Sequence, residues 1–499
     1  MDEEFASHDK NETWKQVRYS DIPKDRKIVG SKWVYKIKRN ADGSIERYKA
    51  RLVAQGHTQQ PGLDFDEDET HSPVVRHDSL RLLLAISTQF GWTPQQFDVK
   101  TAYLYGKLDE EIYMRIQQSD GTPMYVKLDK CIYGLKQSGF KWYGRLTDTL
   151  YRSGFTKTDF DPCVFVHKED NFYVSIYVDD IVTYGPEGPL LTALKTQLKR
   201  EFDVSDMGNL HWLLGIEVTI NKEGISLSQQ AYIEQLMQRF DIKGPSKVSL
   251  PIDPNHQLRR STDEDPRADP SQYQRLIGSL MYCLATRPDL AYPVTLLSQY
   301  NADPSLQHMR SAMNLLKYLA GTRDLRLLYK KTTDITLEGH TQGKLIAMEG
   351  YTDSDYANCR DTSRSFSGYV FKLAGCTISW KCRKQKNAAH SSAEAEYIAM
   401  AMCTKQLLWI KTALDQLRIK VQLPCMFADN QGAIEIAAQH KINERSKHIR
   451  VAYHITRERL EEGDFQLVHV PSEHNLADIC TKGLRKPLLL PLRTAVMGA

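Results

Sequence analysis

The sequence predicts an α+β protein in which two mixed segments of strands and helices flank a helical region. At 499 residues the chain is too long for one hydrophobic core, so two to four domains are expected. A content of 41% hydrophobic and 26% charged residues is that of an ordinary globular protein. Short strand patterns alternate with helical patterns before residue 250 and again after residue 350, while the stretch between them is mainly helical in pattern.

The first mixed segment is predicted to contain a β-hairpin with carboxylates at its turn. Alternating apolar and basic residues predict a half-exposed strand, and a turn at 40–43 returns the chain into a second strand. A helix capped by Ser79 follows, and then a strand that ends at Asp98. Asp179 and Asp180 stand between two apolar runs, which predicts a hairpin with both carboxylates at its tip. In order, the predicted elements are the strands Lys32–Lys38 and Ile45–Val53, the helix Ser79–Phe90, the strand Gln95–Lys100, the hairpin strands Phe172–Tyr177 and Ile181–Tyr184, and the helix Pro189–Phe202.

The second half of the chain begins with a stretch at about 245–270 that is rich in proline, aspartate and serine. This composition predicts a linker. Helical patterns follow, and a second alternation of strands and helices begins near Gly350. The predicted elements are the helices Gln272–Ala285, Asp289–Tyr300 and Leu306–Leu319, the strands Gly350–Asp353, Ser367–Leu373 and Thr377–Trp380, the long helix Ser392–Leu417, the strands Cys425–Ala428 and Phe465–Val470, and a last helix.

The adjacent aspartates Asp179 and Asp180 repel each other unless they share a cation. Hard divalent ions such as Mg²⁺ prefer carboxylate oxygen, and the natural substrate of a carboxylate-held Mg²⁺ is a phosphate. Asp98, at the end of a strand, would complete the cluster that two metal ions about 3.5–4 Å apart require. These residues predict phosphoryl or nucleotidyl transfer. The competing interpretation is a turn with two solvated aspartates.

Basic residues are concentrated in two places, although the net charge is only +4. Between Lys24 and Arg51 there are ten lysines and arginines against three acids, and Cys376–Lys386 contains no acid. A stripe of this kind suits a polyanion such as nucleic acid. A solvated basic surface is an equally good interpretation of either patch alone.

Several classes of protein are not indicated by the sequence. The nine cysteines show no Cys-x-x-Cys pair and no Cys/His spacing typical of zinc, so reduced thiols in a cytosolic or nuclear protein are expected. No apolar run is long enough for a membrane span, and the acidic N-terminus lacks the core of a signal peptide. Neither secretion nor a membrane partner is expected.

A series of ordered motifs runs nearly from end to end of the chain. They are Tyr48-Lys49-Ala50-Arg51-Leu52-Val53-Ala54-Gln55-Gly56, Ser72-Pro73-Val74-Val75, the Asp98 segment, Tyr133-Gly134-Leu135-Lys136-Gln137, the Asp179 hairpin, Leu214-Gly215-Ile216-Glu217, Ser391-Ser392-Ala393-Glu394-Ala395-Glu396-Tyr397, Lys447-His448-Ile449 and Ala477-Asp478-Ile479-Cys480-Thr481-Lys482. Together they resemble the reverse transcriptase and ribonuclease H portion of a copia-type long-terminal-repeat retrotransposon Pol polyprotein.

The resemblance implies a right-hand polymerase fold of fingers, palm and thumb with a helical connection, followed by an α/β ribonuclease H-like domain. Fingers and palm would span 1–225, thumb and connection 226–345, and the ribonuclease H-like domain 346–485, with a C-terminal tail at 486–499. The implied function is RNA- and DNA-directed DNA synthesis with hydrolysis of the RNA in RNA–DNA hybrids. Each site would use two Mg²⁺ ions, which Mn²⁺ could replace.

The partners that the resemblance implies are an RNA template, a DNA primer, RNA–DNA hybrid and dNTPs. The family's setting is a cytoplasmic virus-like particle. A nuclear stage, a homodimer and association with integrase are left open.

The family's polymerase metal ligands match Asp98, Asp179 and Asp180 of this sequence. Tyr103 matches the aromatic residue that lies under the sugar and rejects a ribonucleotide 2′-hydroxyl. The alternative for Tyr103 is a core tyrosine in a helical turn.

Three further residues match the family's nucleotide-binding positions. Lys49 and Arg51 lie in the fingers segment that grips the triphosphate, and Arg51 is favoured because its fork suits phosphate oxygens. A surface ion pair is the alternative for Arg51. Gly134 would let the backbone approach the templating base pair closely.

Four acids in the second mixed segment match the family's ribonuclease H metal ligands: Asp353, Glu396, Asp429 and Asp478. The pattern places them on four elements, namely the first strand, the long helix, a later strand end and the last helix. Acids from four elements could converge on two Mg²⁺ ions and support hydrolysis of a phosphodiester by metal-bound water. Asp355 ranks second to Asp353, because it would share the same face if the strand continued.

Some features leave other interpretations open. His469 or His474 could assist hydrolysis, and their spacing from the last acid does not decide between them. After Gln137 the family usually has Ala-Pro, whereas this chain has Ser138-Gly139 beneath the incoming nucleotide. The family's upstream capsid, protease and integrase portions are absent from this sequence. The alternative function is therefore a truncated, catalytically silent remnant that only binds nucleic acid. A cellular repair polymerase with a fused nuclease is disfavoured by the order of the modules.

Overall fold

The computed structural model describes residues 1–39, 45–118, 121–244, 246–332, 345–438 and 453–498. They form two compact units whose segments alternate along the chain: Met1–Val75 with Gln95–Asn209, and Arg76–Pro94 with Leu210–Ala499. The boundaries predicted near residues 225 and 345 fall within the second unit and stay predictions. The turn predicted at 40–43 and the motif Lys447-His448-Ile449 lie outside the described residues.

The helices are α1 (Asp2–Lys10), α2 (His77–Phe90), α3 (Ser138–Arg152), α4 (Pro189–Glu201), α5 (Gln230–Arg239), α6 (Pro270–Cys283), α7 (Ala291–Ser298), α8 (Leu306–Gly321), α9 (Ser392–Gln416), α10 (Gln431–Ala438), α11 (Ile455–Glu461) and α12 (Lys486–Met497). The strands are β1 (Trp14–Val17), β2 (Ile28–Arg39), β3 (Ile45–Ala54), β4 (Gln95–Val99), β5 (Lys107–Gln117), β6 (Pro123–Lys130), β7 (Phe155–Lys157), β8 (Val164–His167), β9 (Tyr173–Tyr177), β10 (Asp180–Tyr184), β11 (Val204–Asn209), β12 (Trp212–Leu213), β13 (Ile216–Asn221), β14 (Gly224–Ser228), β15 (Leu327–Lys330), β16 (Met348–Ser354), β17 (Phe366–Leu373), β18 (Cys376–Lys384), β19 (Cys425–Ala428) and β20 (Gln466–His469).

One sheet of the first unit has the strand order β1-β6-β5-β2-β3. The strands β2 and β3 pair antiparallel, as their alternating pattern predicted. Val29 and Leu52 are fully buried, whereas Tyr35 and Tyr48, which lie on the same face of the hairpin, are exposed. The hairpin therefore packs into a core at one end and extends beyond that core at the other end.

The other sheet of the first unit has the order β11-β4-β10-β9-β8-β7. Most residues of β8, β9 and β10 are buried, and their almost continuous apolar runs are typical of strands covered on both faces. The strand β4 lies between β10 and β11 and pairs antiparallel with both. This pairing places the end of β4 beside the tip of the β9–β10 hairpin.

Helix α2 belongs to the second unit, although residues of the first unit precede and follow it in sequence. It begins at His77 with Arg76 as its N-cap, and Ser79 lies inside the first turn and is buried. The predicted Ser79 cap was therefore wrong. Asp78 supplies the negative charge that favours a helix N-terminus.

The helical part of the second unit packs α5, α6, α7 and α8 around one apolar core. The predicted linker at about 245–270 has no helix or strand in residues 246–269, but it is not a free linker. Its side chains Ile252 and Leu258 are buried in that same core. Two apolar anchors therefore fix a segment whose composition alone suggested an open chain.

A mixed sheet of order β18-β17-β16-β19-β20 lies in the last part of the second unit. The strands β18, β17 and β16 pair antiparallel, whereas β19 pairs parallel with both β16 and β20. The long helix α9 packs against β16 and β17. Within the described residues, no helix is both long enough and apolar enough to cross a bilayer.

The end of the chain departs from two predictions. Asp478 lies in a short 3-10 turn, Leu476–Cys480, and not in the last helix. The predicted tail at 486–499 is largely the helix α12, whose Leu489, Leu492 and Val496 are buried. Pro491 made this helix hard to predict from the sequence, because proline is unfavourable in a helix interior, whereas Pro487 lies in the first turn, where proline is tolerated.

Candidate active sites

The β9–β10 hairpin turns tightly through Val178 and Asp179. Tyr177 pairs with Asp180 across the turn, and Val178 has a left-handed backbone with φ of 55°. The indole Nε1 of Trp142, on α3, donates a 2.7 Å hydrogen bond to the carbonyl of Val178. The backbone N–H of Val99 donates to the carbonyl of Asp179 at 2.9 Å. A helix and a neighbouring strand thus fix the turn from two sides.

The first acid cluster comprises Asp98, Asp179 and Asp180. Asp98 is paired directly opposite Asp180 on neighbouring antiparallel strands, so their side chains project from the same face of the sheet. Gln96 Nε2 donates to Asp180 Oδ1 at 2.9 Å. Burial raises the pKa of Asp180, and the charges of Asp179 and Asp98 raise it further against this hydrogen bond. The predicted convergence of the strand end and the hairpin tip is therefore present.

A cavity of about 1270 Å³ opens onto the first acid cluster. Lys49 and Arg51 of β3 line it together with the three acids, and Tyr133 forms another part of its wall. The cavity is therefore lined both by acidic side chains that can hold a cation and by basic side chains that can hold an anion, which suits a metal-bound polyphosphate.

Arg51 is held by an aromatic stack. Its guanidinium carbon lies 4.5 Å from the centre of the Tyr133 ring, and the Tyr103 ring meets Tyr133 edge-on at 4.9 Å. Burial raises the pKa of Tyr103, with a further contribution from the charge of Asp179. Tyr133 was missed by the sequence analysis as a functional residue, although it stands in the motif that includes Gly134.

Gly134 is explained by packing within the chain itself. Its φ is 95°, and a Cβ at this position would lie 2.2 Å from the carbonyl oxygen of Ala54. Both the conformation and the contact exclude a larger residue. The predicted approach to a templating base pair stays a prediction, because contact with β3 is sufficient to require glycine.

The second acid cluster comprises Asp353, Glu396, Asp429 and Asp478. Asp353 is on β16, Asp429 directly follows the neighbouring parallel strand β19, and Asp478 comes from the 3-10 turn after β20. Their carboxylate oxygens lie within 4.8 Å of one another, in the one group of this kind found among the described residues. Glu396 joins them from α9, close enough for Asp353 and Asp429 to raise its pKa.

Burial makes the second acid cluster electrostatically costly. Asp353 is 1% exposed, and Glu396 and Asp478 are each 6% exposed. Glu396 Oε2 is buried without a hydrogen-bond partner. Burial raises the pKa of Glu396 well above its usual range, and burial with the nearby charge of Asp353 raises the pKa of Asp478 to about 8. An orphaned buried oxygen among converging carboxylates fits a hard divalent cation.

Three polar side chains that the sequence analysis did not assign contact the second acid cluster. The hydroxyl of Thr481 donates to Asp353 Oδ2, and Ser472 Oγ donates to Asp429 Oδ2 at 2.6 Å. The ammonium of Lys482 lies 3.0 Å from Asp478 and 3.5 Å from Asp353. The four-residue spacing between Asp478 and Lys482 was the signal that could have indicated this ion pair.

Asp355 does not join the second acid cluster in the way that the sequence suggested. The strand β16 ends at Ser354, so the condition for a shared face is not met. The Asp355 carboxylate accepts a hydrogen bond from the backbone N–H of Phe366. Burial raises its pKa to about 7, against this hydrogen bond.

The two candidate histidines lie at the end of β20 and in the short turn that follows it. His469 ends β20 opposite Ala428, and His474 ends the 3-10 turn Ser472–His474. Both side chains are exposed. The choice between His469 and His474 stays open.

Comparisons with known proteins identify what the chain resembles. A family model described as reverse transcriptase (RNA-dependent DNA polymerase) matches residues 11–254. The chain is 36% identical to the retrovirus-related Pol polyprotein from transposon RE1 of Arabidopsis thaliana, over 97% of this chain and 32% of that protein. It is 30% identical to the putative transposon Ty5-1 protein of Saccharomyces cerevisiae, over 60% of this chain and 97% of that protein.

Among solved structures, the foamy viral protease-reverse transcriptase in complex with double-stranded DNA matches with a TM-score of 0.46 and 10% identity. That match covers 88% of this chain and 66% of the other. The chain spans about a third of the length of the RE1 polyprotein.

Proposed function

Because this chain belongs to the reverse transcriptase family of copia-type retrotransposon Pol polyproteins, we propose that it synthesises DNA on RNA and DNA templates and cleaves RNA in RNA–DNA hybrids. The first acid cluster would serve synthesis and the second acid cluster would serve cleavage. RNA template, DNA primer, hybrid and dNTPs are the proposed ligands.

One observation carries the polymerase assignment. Asp98 and Asp180 lie opposite each other on neighbouring strands, with Asp179 in the adjoining turn, and all three face a cavity that Lys49 and Arg51 also line. Like charges at directly opposed positions destabilise a pair of strands, so packing of the sheet does not explain them. A site for a cation and a triphosphate accounts for both the acids and the bases.

The residues of this cavity have distinct roles in the proposal. Asp98, Asp179 and Asp180 would hold Mg²⁺, which when bound supplies activation of the primer hydroxyl and neutralisation of the leaving pyrophosphate. Arg51 would bind triphosphate oxygens through its planar fork, already oriented by the Tyr133 ring.

Tyr103 would exclude a ribose 2′-hydroxyl beneath the sugar. Its edge contact with the ring of Tyr133, which lines the cavity, supports this role. Specificity for sequence would come from base pairing, and the protein would contact the backbone electrostatically. Nucleic-acid binding is therefore expected to weaken as salt rises.

The nuclease assignment is supported by the second acid cluster. Asp353, Glu396, Asp429 and Asp478 would hold divalent metal, since three of them converge within 4.8 Å and the fourth has an unpartnered buried oxygen. The mixed sheet that supplies Asp353 and Asp429, with parallel pairing of β16 and β19, is consistent with the ribonuclease H-like fold that the resemblance implies.

Two matched substitutions test the two sites separately. Asp179→Asn is expected to abolish extension of a DNA primer on an RNA template and to spare cleavage of an RNA–DNA hybrid. Asp353→Asn is expected to do the reverse, because each substitution removes a charge from one cluster only. Template-dependent dNTP incorporation on poly(rA)/oligo(dT) and release of labelled RNA from a hybrid are the measurements.

The outcomes discriminate between the proposed functions. Full polymerase activity in Asp179→Asn would refute the assignment of the first cluster, and full hybrid cleavage in Asp353→Asn would refute that of the second. Wild-type protein that binds primer–template but performs neither reaction with Mg²⁺ would favour the silent remnant.

A further inference from the structure

The second acid cluster contains a cation that belongs to the protein. The ammonium of Lys482 lies 3.0 Å from Asp478 Oδ1 and 3.5 Å from Asp353 Oδ1. The charge of Lys482 also acts to lower the pKa of Glu396, and the charge of Asp429 acts to raise the pKa of Lys482. One ammonium therefore pairs with two of the carboxylates and interacts electrostatically with the other two.

The local backbone explains why the lysine reaches the acids. The N–H of Lys482 donates to the carbonyl of Asp478 at 3.3 Å, closing a single helical turn that brings the two side chains to one side. The intervening Thr481 donates its hydroxyl to Asp353. One short segment thus supplies an acid, a hydroxyl donor and an ammonium to the same cluster.

The electrostatics favour a counter-ion at this place. Asp353 is almost fully buried, and the carboxylates around it repel each other in surroundings of low polarity. An ammonium at hydrogen-bond distance offsets part of that repulsion. The Lys482 side chain is 35% exposed, so the cluster remains open to solvent on the side of the lysine.

We propose that Lys482 is a positioning residue: a built-in counter-ion that holds Asp353 and Asp478 together in the absence of metal and competes with divalent metal for the same oxygens. This inference rests on the proposed function of the second acid cluster as a metal site. Asp353 and Asp478 belong to both the ion pairs with Lys482 and the group that could hold a metal. The lysine and the metal are therefore alternative partners of the same carboxylates.

The proposal has two opposite consequences. Without metal, the ammonium stabilises the folded chain, because it neutralises part of a buried acidic cluster. With metal, it weakens binding, because a like charge stands beside the incoming ion and must move away from the carboxylates. A purely structural ion pair would have the first effect and not the second.

The test uses the full chain carrying Asp179→Asn in every sample, and this substitution is expected to weaken any metal binding at the first cluster. Lys482→Met removes the charge and keeps an unbranched side chain, and Lys482→Arg keeps the charge. Lys486→Met is the matched control, because Lys486 is an exposed lysine at the start of α12. Mn²⁺ affinity is measured by electron paramagnetic resonance titration of the free ion, and the melting temperature is measured in EDTA and in Mn²⁺.

Lys482→Met is expected to lower the melting temperature in EDTA and to enlarge the rise on adding Mn²⁺. Its Mn²⁺ affinity is expected to increase by about tenfold, because the competing charge is gone. Lys482→Arg and Lys486→Met are expected to stay close to the parent in both measurements. If Lys482→Met does not fold in EDTA, purification in Mn²⁺ is expected to restore it.

Unchanged or weaker Mn²⁺ binding in Lys482→Met would overturn the proposal, as would failure of Mn²⁺ to restore an unfolded variant. Failure of the proposed function has a different signature. In that case adding Asp353→Asn to the parent would leave Mn²⁺ binding unchanged, whichever residue stands at position 482.

Discussion

At the scale of single residues, His8 is a buried histidine without a compensating partner. Its ring stacks on Trp14 at 4.2 Å between centroids, and neither ring nitrogen has a hydrogen-bond partner. The nearest carboxylate oxygen, on Glu4, is 3.9 Å away, beyond hydrogen-bond distance. Burial lowers the pKa of His8 to about 4.

This lowered pKa predicts acid sensitivity. The unfolded histidine takes up a proton near pH 6.5 and the folded one only near pH 4, so the unfolded state binds more protons between these values. The contribution of neutral His8 to the unfolding free energy is therefore fully present above pH 6.5 and is lost as the pH falls towards 4. His8→Phe is expected to reduce the loss of unfolding free energy between pH 7.5 and pH 5 by about 2 kcal/mol.

Urea unfolding followed by tryptophan fluorescence at the two pH values measures this effect. His57→Phe is the matched control, because it makes the same substitution at an exposed histidine. An equal loss of stability in the wild type and in His8→Phe would contradict the prediction.

The residues most readily predicted from the sequence were those whose role depends on local order along the chain. Asp179 and Asp180 are adjacent, and a hairpin pattern places them at a turn whatever surrounds it. Lys482 was missed because its role depends on a 3-10 turn that points it at Asp353, more than a hundred positions earlier. Gly134 was predicted as a special position, but the contact that requires it is with Ala54.

At the scale of elements, the β9–β10 hairpin holds a β-branched residue in an unfavourable conformation. Val178 has a φ of 55°, and L-residues pay roughly 1–2 kcal/mol in this region. Glycine adopts it freely but costs about 0.5–1 kcal/mol in unfolded-chain entropy. Because the strain of an L-residue is the larger of these two costs, we expect glycine to be more favourable than valine for the backbone of this turn.

Val178→Gly is therefore expected to raise the unfolding free energy by up to about 1 kcal/mol relative to Val178→Ala, since alanine keeps the strained Cβ. Comparing glycine with alanine removes the contribution of the valine side chain. Denaturant unfolding of the two variants is the measurement. A less stable glycine variant would show that the turn imposes no strain at this position.

The prediction of elements was accurate where the pattern along the chain was uninterrupted. The long helix α9 and the short apolar strand β19 were both predicted to within one residue. The turn that carries Asp478 is only Leu476–Cys480, too short to show a helical period. Pro491 inside α12 concealed a helix that apolar contacts stabilise in spite of it.

At the scale of the whole molecule, the segments of the two units alternate along the chain: residues 76–94 belong to the second unit, 95–209 to the first, and 210–499 to the second again. Helix α2 was predicted as a helix, but no local pattern could show that its partners lie beyond residue 210. Arg81 donates from its Nε to the carbonyl of Ile378 and from its Nη1 to that of Ala285, both at 2.8 Å. Its guanidinium also lies 3.8 Å from the centre of the Trp380 ring.

Because residues 76–94 belong to the second unit, we expect that residues 210–499 alone do not form its complete core. Without α2, the surfaces of β14, β15 and β18 that contact it would face water, together with the two carbonyls that Arg81 satisfies. The N–H of Leu210 donates to the carbonyl of Pro94 at 2.9 Å, so a short glycine link can join these positions.

A fragment of 76–94 linked in this way to 210–499 is expected to unfold cooperatively on heating and to bind little of a hydrophobic dye. The fragment 210–499 alone is expected to bind the dye strongly and to melt without a sharp transition, because exposed apolar surface and unmatched carbonyls replace a packed helix. Adding Arg81→Met to the linked fragment distinguishes the effect of exposed apolar surface from the effect of unmatched carbonyls. This variant keeps the apolar contacts of α2 and removes the hydrogen bonds to Ile378 and Ala285. Identical melting of the fragments with and without 76–94 would mean that α2 is not part of the second unit's core.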